Sequence, residues 1–127
     1  KYIFIPENLT SIVIPKGVES IEKYTFYDCS SLTAVVIPDS VTKIGAYTFH
    51  RCEKLHDIKL GAGINKIPSF FLSEASTGAD ETVLSIPENV ISIGDNAFWR
   101  SGIETIEIFS DMKEVGTFTD NEIFVKS

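Results

Sequence analysis

Residues 9–29, LTSIVIPKGVESIEKYTFYDC, are rewritten station by station in residues 32–52, LTAVVIPDSVTKIGAYTFHRC, 23 positions further on. Leu9 falls on Leu32, Ile12 on Val35, Ile14-Pro15 on Ile37-Pro38 and Val18 on Val41. The register then holds through Ile21 and Ile44, Tyr24-Thr25-Phe26 and Tyr47-Thr48-Phe49, and Cys29 and Cys52. Self-similarity at a fixed period of this size is the signature of a solenoid, in which each repeat buries its apolar face only by stacking on its neighbours. Few other features would constrain the fold as tightly.

The repeat divides into short extended pieces. Its L-x-x-I-x-I opening alternates apolar and polar residues, as a half-buried strand does. Pro15 and Pro38 end that strand, because proline cannot donate to a ladder. A second short extended piece follows, Val18 to Ile21 and Val41 to Ile44. A turn then leads to Y-T-F-x-x-C, whose spacing suits a 3₁₀ turn or a tight corner. These readings predict a β-rich solenoid with a parallel sheet, about 23 residues per repeat and four to five repeats.

The chain divides accordingly into one domain of 127 residues. Residues 1–8 read as a partial coil or short hairpin covering the first repeat. Repeats follow at 9–31, 32–54, 55–80 and 81–102, and 103–127 forms an irregular terminal repeat. The third repeat keeps Ile58, Leu60, Ile64, Ile67, Phe70 and Leu72, but Gly61-Ala62-Gly63 replaces the Ile-Pro exit. Residues 73–80, SEASTGAD, read as a surface loop holding an insertion of three residues. The fourth repeat resumes with Leu84, Ile86-Pro87, Val90, Ile93-Gly94 and Ala97-Phe98. The fifth carries Ile103, Ile106, Ile108, Met112 and Val115-Gly116, decays after Phe118 with Asp120 at a core station, and leaves 123–125 as a closing strand. One core column should contain Ile14, Ile37, Leu60, Ile86 and Ile108, and another Phe26, Phe49, Leu72 and Phe98.

The motif C-x-x-L-x-x-I-x-I-P-x-x-V-x-x-I-x-x-Y-x-F-x-x-C, carried by Leu9, Ile12, Ile14, Pro15, Val18, Ile21, Phe26, Cys29 and their later equivalents, resembles the BspA-like, treponemal-type leucine-rich repeat. The likeness spans residues 9–119; it departs in the missing Cys of the later repeats and the glycine exit of the third. It implies a right-handed coil and a place on bacterial cell surfaces or in secretions. It also implies adhesion to host matrix or other cell-surface proteins, with no catalysis.

Charge and composition narrow the function classes. A formal charge of −7, from 11 basic and 18 acidic residues, offers no basic patch for nucleic acid and disfavours anionic membrane. No apolar run has the length of a membrane helix. Lys1 leads straight into a β-type pattern with no signal peptide, as expected of a mature or excised piece. No nucleotide-binding, zinc-protease or hydrolase motif occurs, and no acidic cluster has calcium-loop spacing. No cofactor or metal site is therefore expected.

Candidate binding residues follow from strand alternation. The outward positions of the opening strand are Ser11/Val13, Ala34/Val36, Asp57/Lys59, Val83/Ser85 and Thr105/Glu107, which stack into two columns on one sheet face. Val13, Ala34 and Val36 should form an apolar patch, with Asp57, Lys59, Ser85 and Glu107 making the rest polar. Each valine alone is equally a good strand former; as a column they suit a protein partner. Trp99 should either point out of the coil near the inserted loop, a candidate hot spot, or pack in part under residues 73–80. Cys29 and Cys52 share one station and read as free buried thiols, with a disulfide the less favoured alternative. His50 and His56 read as solvated surface residues. The leading functional reading is a non-catalytic extracellular protein-binding or adhesion module. The second is a structural spacer in a longer surface protein.

Overall fold

The computed structural model describes residues 8–78, 82–108, 112–116 and 124–126. Among them there is no helix, and hence none that is long and apolar enough to cross a membrane. The L-x-x-I-x-I segments form β1 (Ser11–Val13), β3 (Ala34–Ile37), β5 (Asp57–Leu60), β7 (Thr82–Ile86) and β9 (Ile103–Ile108), joined by β11 (Phe124–Lys126). The second extended pieces form β2 (Ser20–Ile21), β4 (Lys43–Ile44), β6 (Lys66–Ile67), β8 (Ser92–Ile93) and β10 (Glu114–Val115). All pairings are parallel, and Ile12, Val35 and Ile58 meet in register. Each lap of the chain therefore contributes one long and one short strand. The chain is a parallel-sheet solenoid.

Proline sets the exit from each long strand. The carbonyls of Pro15, Pro38 and Pro87 accept the amides of Val18, Val41 and Val90 at 3.3, 3.2 and 3.1 Å, closing a turn that re-aims the chain toward the short strand. The far corner is built differently from a 3₁₀ helix. Amides of Tyr27 and Cys29 donate within the coil, to Tyr24 and Phe26, while those of Tyr24, Phe26 and Asp28 donate across to Ala46, Thr48 and His50. Alternation between the two directions requires left-handed backbone at fixed stations. Tyr24, Tyr47, Phe70 and Asn96 have φ of 63, 60, 56 and 56°, and Asp28, Arg51, Glu74 and Arg100 have 58, 61, 54 and 51°. Such residues cost on the order of 1–3 kcal/mol each and persist only where neighbours over-determine them. Amide bonds from Tyr24, Asp28, Arg51, Phe70 and Glu74 to the next coil do so here.

The predicted phenylalanine column forms. Phe26, Phe49, Leu72 and Phe98 are all buried, and the rings of Phe26 and Phe49 stack at 5.3 Å and 4°. Phe71 joins this core unanticipated, edge-on to Phe49 at 5.4 Å. It takes the inward station that Thr48 and Ala97 occupy in their coils, both fully buried. The isoleucine column needs correction at two members. Ile14, Ile37 and Ile86 are buried, but Leu60 and Ile108 are only half-buried. Ile108 lies beyond the end of the β11 ladder, which stops at Lys126 opposite Glu107. Val115 is likewise 51% exposed, because β10 is the edge strand of its sheet among the described residues.

Leu60 is uncovered for a different reason. The long sheet divides between β5 and β7, giving β1-β3-β5 and β7-β9-β11. The short sheet divides one coil earlier, giving β2-β4 and β6-β8-β10. The third coil thus bonds backward through its long strand and forward through its short one. Its glycine exit explains the close backward contact: a Cβ on Gly63 would lie 2.1 Å from the Asp39 carbonyl oxygen. Ala62 N–H donates to Asp39 Oδ1 at 2.8 Å, tying that exit to the second coil.

Residues 73–76 also differ from the expected surface loop. Ser73, Ala75 and Ser76 are fully buried. The Ser73 carbonyl accepts the Arg51 amide, the Glu74 amide donates to Trp99, the Ser76 amide donates to Cys52, and the Ser76 hydroxyl donates to the Leu55 carbonyl. They are the third coil's corner, and exposure begins only at Thr77 and Gly78. The expectations for residues 1–7, for Asp80, and for Phe118, Asp120 and Ile123 lie outside the described residues.

Candidate functional site

Strand register puts seven of the eight candidate residues on one face. Ser11, Ala34 and Asp57 align in one column, and Val13, Val36 and Lys59 in the next. Beyond the break, Val83 aligns with Thr105 and Ser85 with Glu107. Val13 at the sheet edge is 68% exposed and Val83 47%, whereas Ala34 and Val36 are half-buried between neighbouring columns. Asp57 and Lys59 are exposed, and Ser85 Oγ donates to Glu107 Oε1 at 2.9 Å. The face is therefore apolar near β1 and β3 and polar beyond.

The break gives this face its relief. Between β5 and β7 lies an open cleft of about 470 Å³ lined by Ile58, Lys59, Leu60, Ser85, Ile86, Pro87 and Glu88. Half-buried Leu60 supplies an apolar floor, and Lys59 and Glu88 supply opposite charges at the rim. The facing edges of β5 and β7 do not hydrogen-bond to each other, so backbone donors and acceptors also line it. Nothing in the local spacing of the β5 segment distinguishes it from an ordinary strand. The glycine exit and the longer third repeat were the available signals.

Trp99 belongs elsewhere. It sits on the corner, edge-on to Phe70 at 6.5 Å and covered by the Arg100 guanidinium at 4.5 Å. It terminates an aromatic file along the corner. Tyr24 stacks on Tyr47 at 5.1 Å, and Tyr47 on Phe70 at 4.6 Å. Beside them Tyr27 stacks on His50 at 5.2 Å. Tyr24 and Tyr27 remain 42% and 44% exposed. The signal was present, as Tyr24, Tyr47 and Phe70 recur at the 23-residue period. Their outward direction follows only from the left-handed backbone at that station.

His50 is not the solvated residue expected. Its side chain is 12% exposed, Nδ1 lies 2.7 Å from Ser73 Oγ, and Nε2 lies 3.3 Å from Glu74 Oε2, which also accepts from Arg51 Nε at 3.3 Å. Burial lowers its pKa, outweighing the opposing pull of Glu74. A histidine titrating lower in the folded chain than when unfolded binds fewer protons folded. Its contribution is then complete above about 6.5 and is lost as pH falls from there through the folded value. Unfolding free energy should accordingly decline below pH 6.5 in urea titrations, and His50→Gln should flatten that part of the profile. His56 is exposed, as expected. Among the described residues no group of three or more His, Cys, Asp or Glu is arranged to hold a metal ion.

A family model for the BspA type leucine rich repeat region matches residues 1–124 in six copies. The chain belongs to that family. This leucine-rich repeat chain is also similar to a leucine rich cell surface protein from Faecalibacterium prausnitzii, at 28% identity and a TM-score of 0.74, over 88% of this chain and 33% of that one. It is similar to the Treponema pallidum leucine rich repeat protein at 20% identity and a TM-score of 0.63, over 98% and 76% of the two chains. The pneumococcal vaccine antigen PcpA aligns at 21% identity and a TM-score of 0.74, over 98% of this chain and 33% of PcpA. The repeat chain thus spans about a third of the length of the F. prausnitzii protein. No curated protein matches it.

Proposed function

We propose that this chain is a non-catalytic, extracellular protein-binding module of a bacterial surface or secreted protein, and that it adheres through its long-strand face. The observation that carries this reading is the in-register outward column Val13, Val36 and Lys59 leading into the cleft beside Ser85. Flat rows of side chains presented at strand spacing suit the surface of another protein, such as a host matrix or cell-surface protein. The formal charge of −7 supports a protein partner over nucleic acid. Likeness to a leucine rich cell surface protein supports the extracellular setting. The cleft beside Ser85 is open to solvent, in contrast to the enclosed convergent pockets that most enzymes use.

Val36→Glu and Lys59→Glu test the face. Each should weaken binding to purified matrix proteins, measured by biolayer interferometry, by about tenfold or more, the level of a hot-spot change. Circular dichroism should show the fold unchanged. Unaltered binding by both variants would favour a second reading, a rigid spacer segment whose parent protein binds elsewhere. Coverage of only 33% of the F. prausnitzii protein is the observation behind that alternative.

A further inference from the structure

Cys29 and Cys52 are the only cysteines of the chain, and both are free thiols. They occupy one station of adjacent coils. The Phe26 amide donates to Thr48 O at 3.0 Å and the Asp28 amide to His50 O at 2.8 Å, which locks the two corners together just before each cysteine. One inter-strand spacing, about 4.8 Å, lies inside the Cα separation a disulfide tolerates, about 4.4–6.8 Å. Cys52 is fully buried and its Sγ donates to the Phe26 carbonyl at 3.1 Å. Cys29 is half-buried, and its Sγ faces the Tyr27 carbonyl at 4.0 Å. Ala75 and Ser101 continue the station with small side chains, so bulk does not wedge the coils apart there.

We propose that Cys29 and Cys52 form a coil-to-coil disulfide by exchange with a small-molecule disulfide, with Cys29 as the entry thiol. The Cys29 thiolate attacks one sulfur of RS–SR and expels RS⁻, leaving a mixed disulfide on Cys29. Cys52 then gives up its proton to the solvent, and its sulfur attacks Cys29 Sγ and expels the second RS⁻. The protein loses two electrons and two protons, and the small disulfide is reduced to two RSH. The order follows from access, since only Cys29 has solvent exposure. It is reinforced by acidity: the Cys52 thiol stabilises the Cys29 thiolate and lowers its pKa, while the same contact and burial raise that of Cys52. Both side chains leave the backbone in the same direction, so the Cβ atoms must close by about 1 Å. The resulting bond is strained and reducible.

Exposure of the native chain to oxidised glutathione, read by intact mass and iodoacetamide labelling, tests this. The expected product is monomeric, two hydrogens lighter, closed to iodoacetamide and reopened by dithiothreitol. Cys52→Ser should stop at a glutathione adduct on Cys29, and Cys29→Ser should stay unmodified while folded. Cys52→Ala, matching Ala75 at the same station, replaces Cys52→Ser if the latter fails to fold. A parent chain that halts at the mixed disulfide, keeps two alkylatable thiols, or cross-links only between molecules would overturn the proposal.

Discussion

Phe49→Ala is expected to lower the unfolding free energy by about 3–5 kcal/mol, the cost of deleting a core aromatic. The ring is fully buried, parallel to Phe26 at 5.3 Å and perpendicular to Phe71 at 5.4 Å. Its deletion leaves a void that the structure is poorly placed to close. Hydrogen bonds from Phe26 to Thr48 and from Phe49 to Phe71, at 3.0 and 3.1 Å, hold the coils at fixed spacing on both sides. Against a total stability of about 5–15 kcal/mol for a domain, the loss is a large fraction. Urea unfolding followed by circular dichroism is the measurement, with Tyr24→Ala as the comparison. Tyr24 stacks on Tyr47 much as Phe26 stacks on Phe49, yet is 42% exposed, so its truncation should cost far less. Equal midpoints for Phe49→Ala and the parent chain would mean that the rings do not stack in file.

Gly45→Ala should destabilise by about 1–3 kcal/mol, as overpacking does. A Cβ at this position would lie 2.4 Å from the Lys23 amide nitrogen and 2.8 Å from its Cα, both backbone atoms unable to rotate aside. Relief requires the first and second coils to separate, which strains the bond from Gly45 N–H to Ile21 O at 2.8 Å and that from Tyr24 N–H to Ala46 O at 3.2 Å. Thermal melting gives the magnitude, and hydrogen exchange at Gly45 and Tyr24 locates it. Gly17→Ala provides the contrast. Gly17 has φ of 99° and nothing within 4 Å of where a Cβ would sit, so any penalty there comes from backbone conformation rather than overpacking and leaves the Gly45 and Tyr24 amides protected. Unchanged exchange at Tyr24 in Gly45→Ala would contradict the close approach.

Much of the core could be read from residue spacing because burial in a solenoid repeats with the period. Once Leu9, Leu32 and Leu55 are aligned, alternation along each long strand assigns Ile12, Val35 and Ile58 inward and Val13, Val36 and Lys59 outward. Departures from the period were harder. Phe71 sits where two coils carry threonine, so its burial follows from a station rather than from hydrophobic alternation. Residues 73–76 have the composition of a loop, SEAS, yet small polar side chains are also what a tight buried corner accommodates when their hydroxyls reach carbonyls, as Ser76 reaches Leu55. His50 looked like a surface residue because its pairing with Ser73 and Glu74 lies a whole coil away in sequence.

The candidate site shows the same division. Its two columns were legible, residue by residue, from strand alternation and a common period. Its cleft was not, because whether β5 bonds to β7 depends on how closely two coils approach, and that distance is set by packing on all sides of the lap. Residue spacing alone dictates that the chain winds into stacked parallel coils and which side chains point inward, since a repeated apolar pattern has no other way to bury itself. Packing between coils sets where the stack parts, which aromatic rings line its corner and how deeply each thiol is buried. Each of these depends on the separation and tilt between coils, quantities that no single repeat encodes.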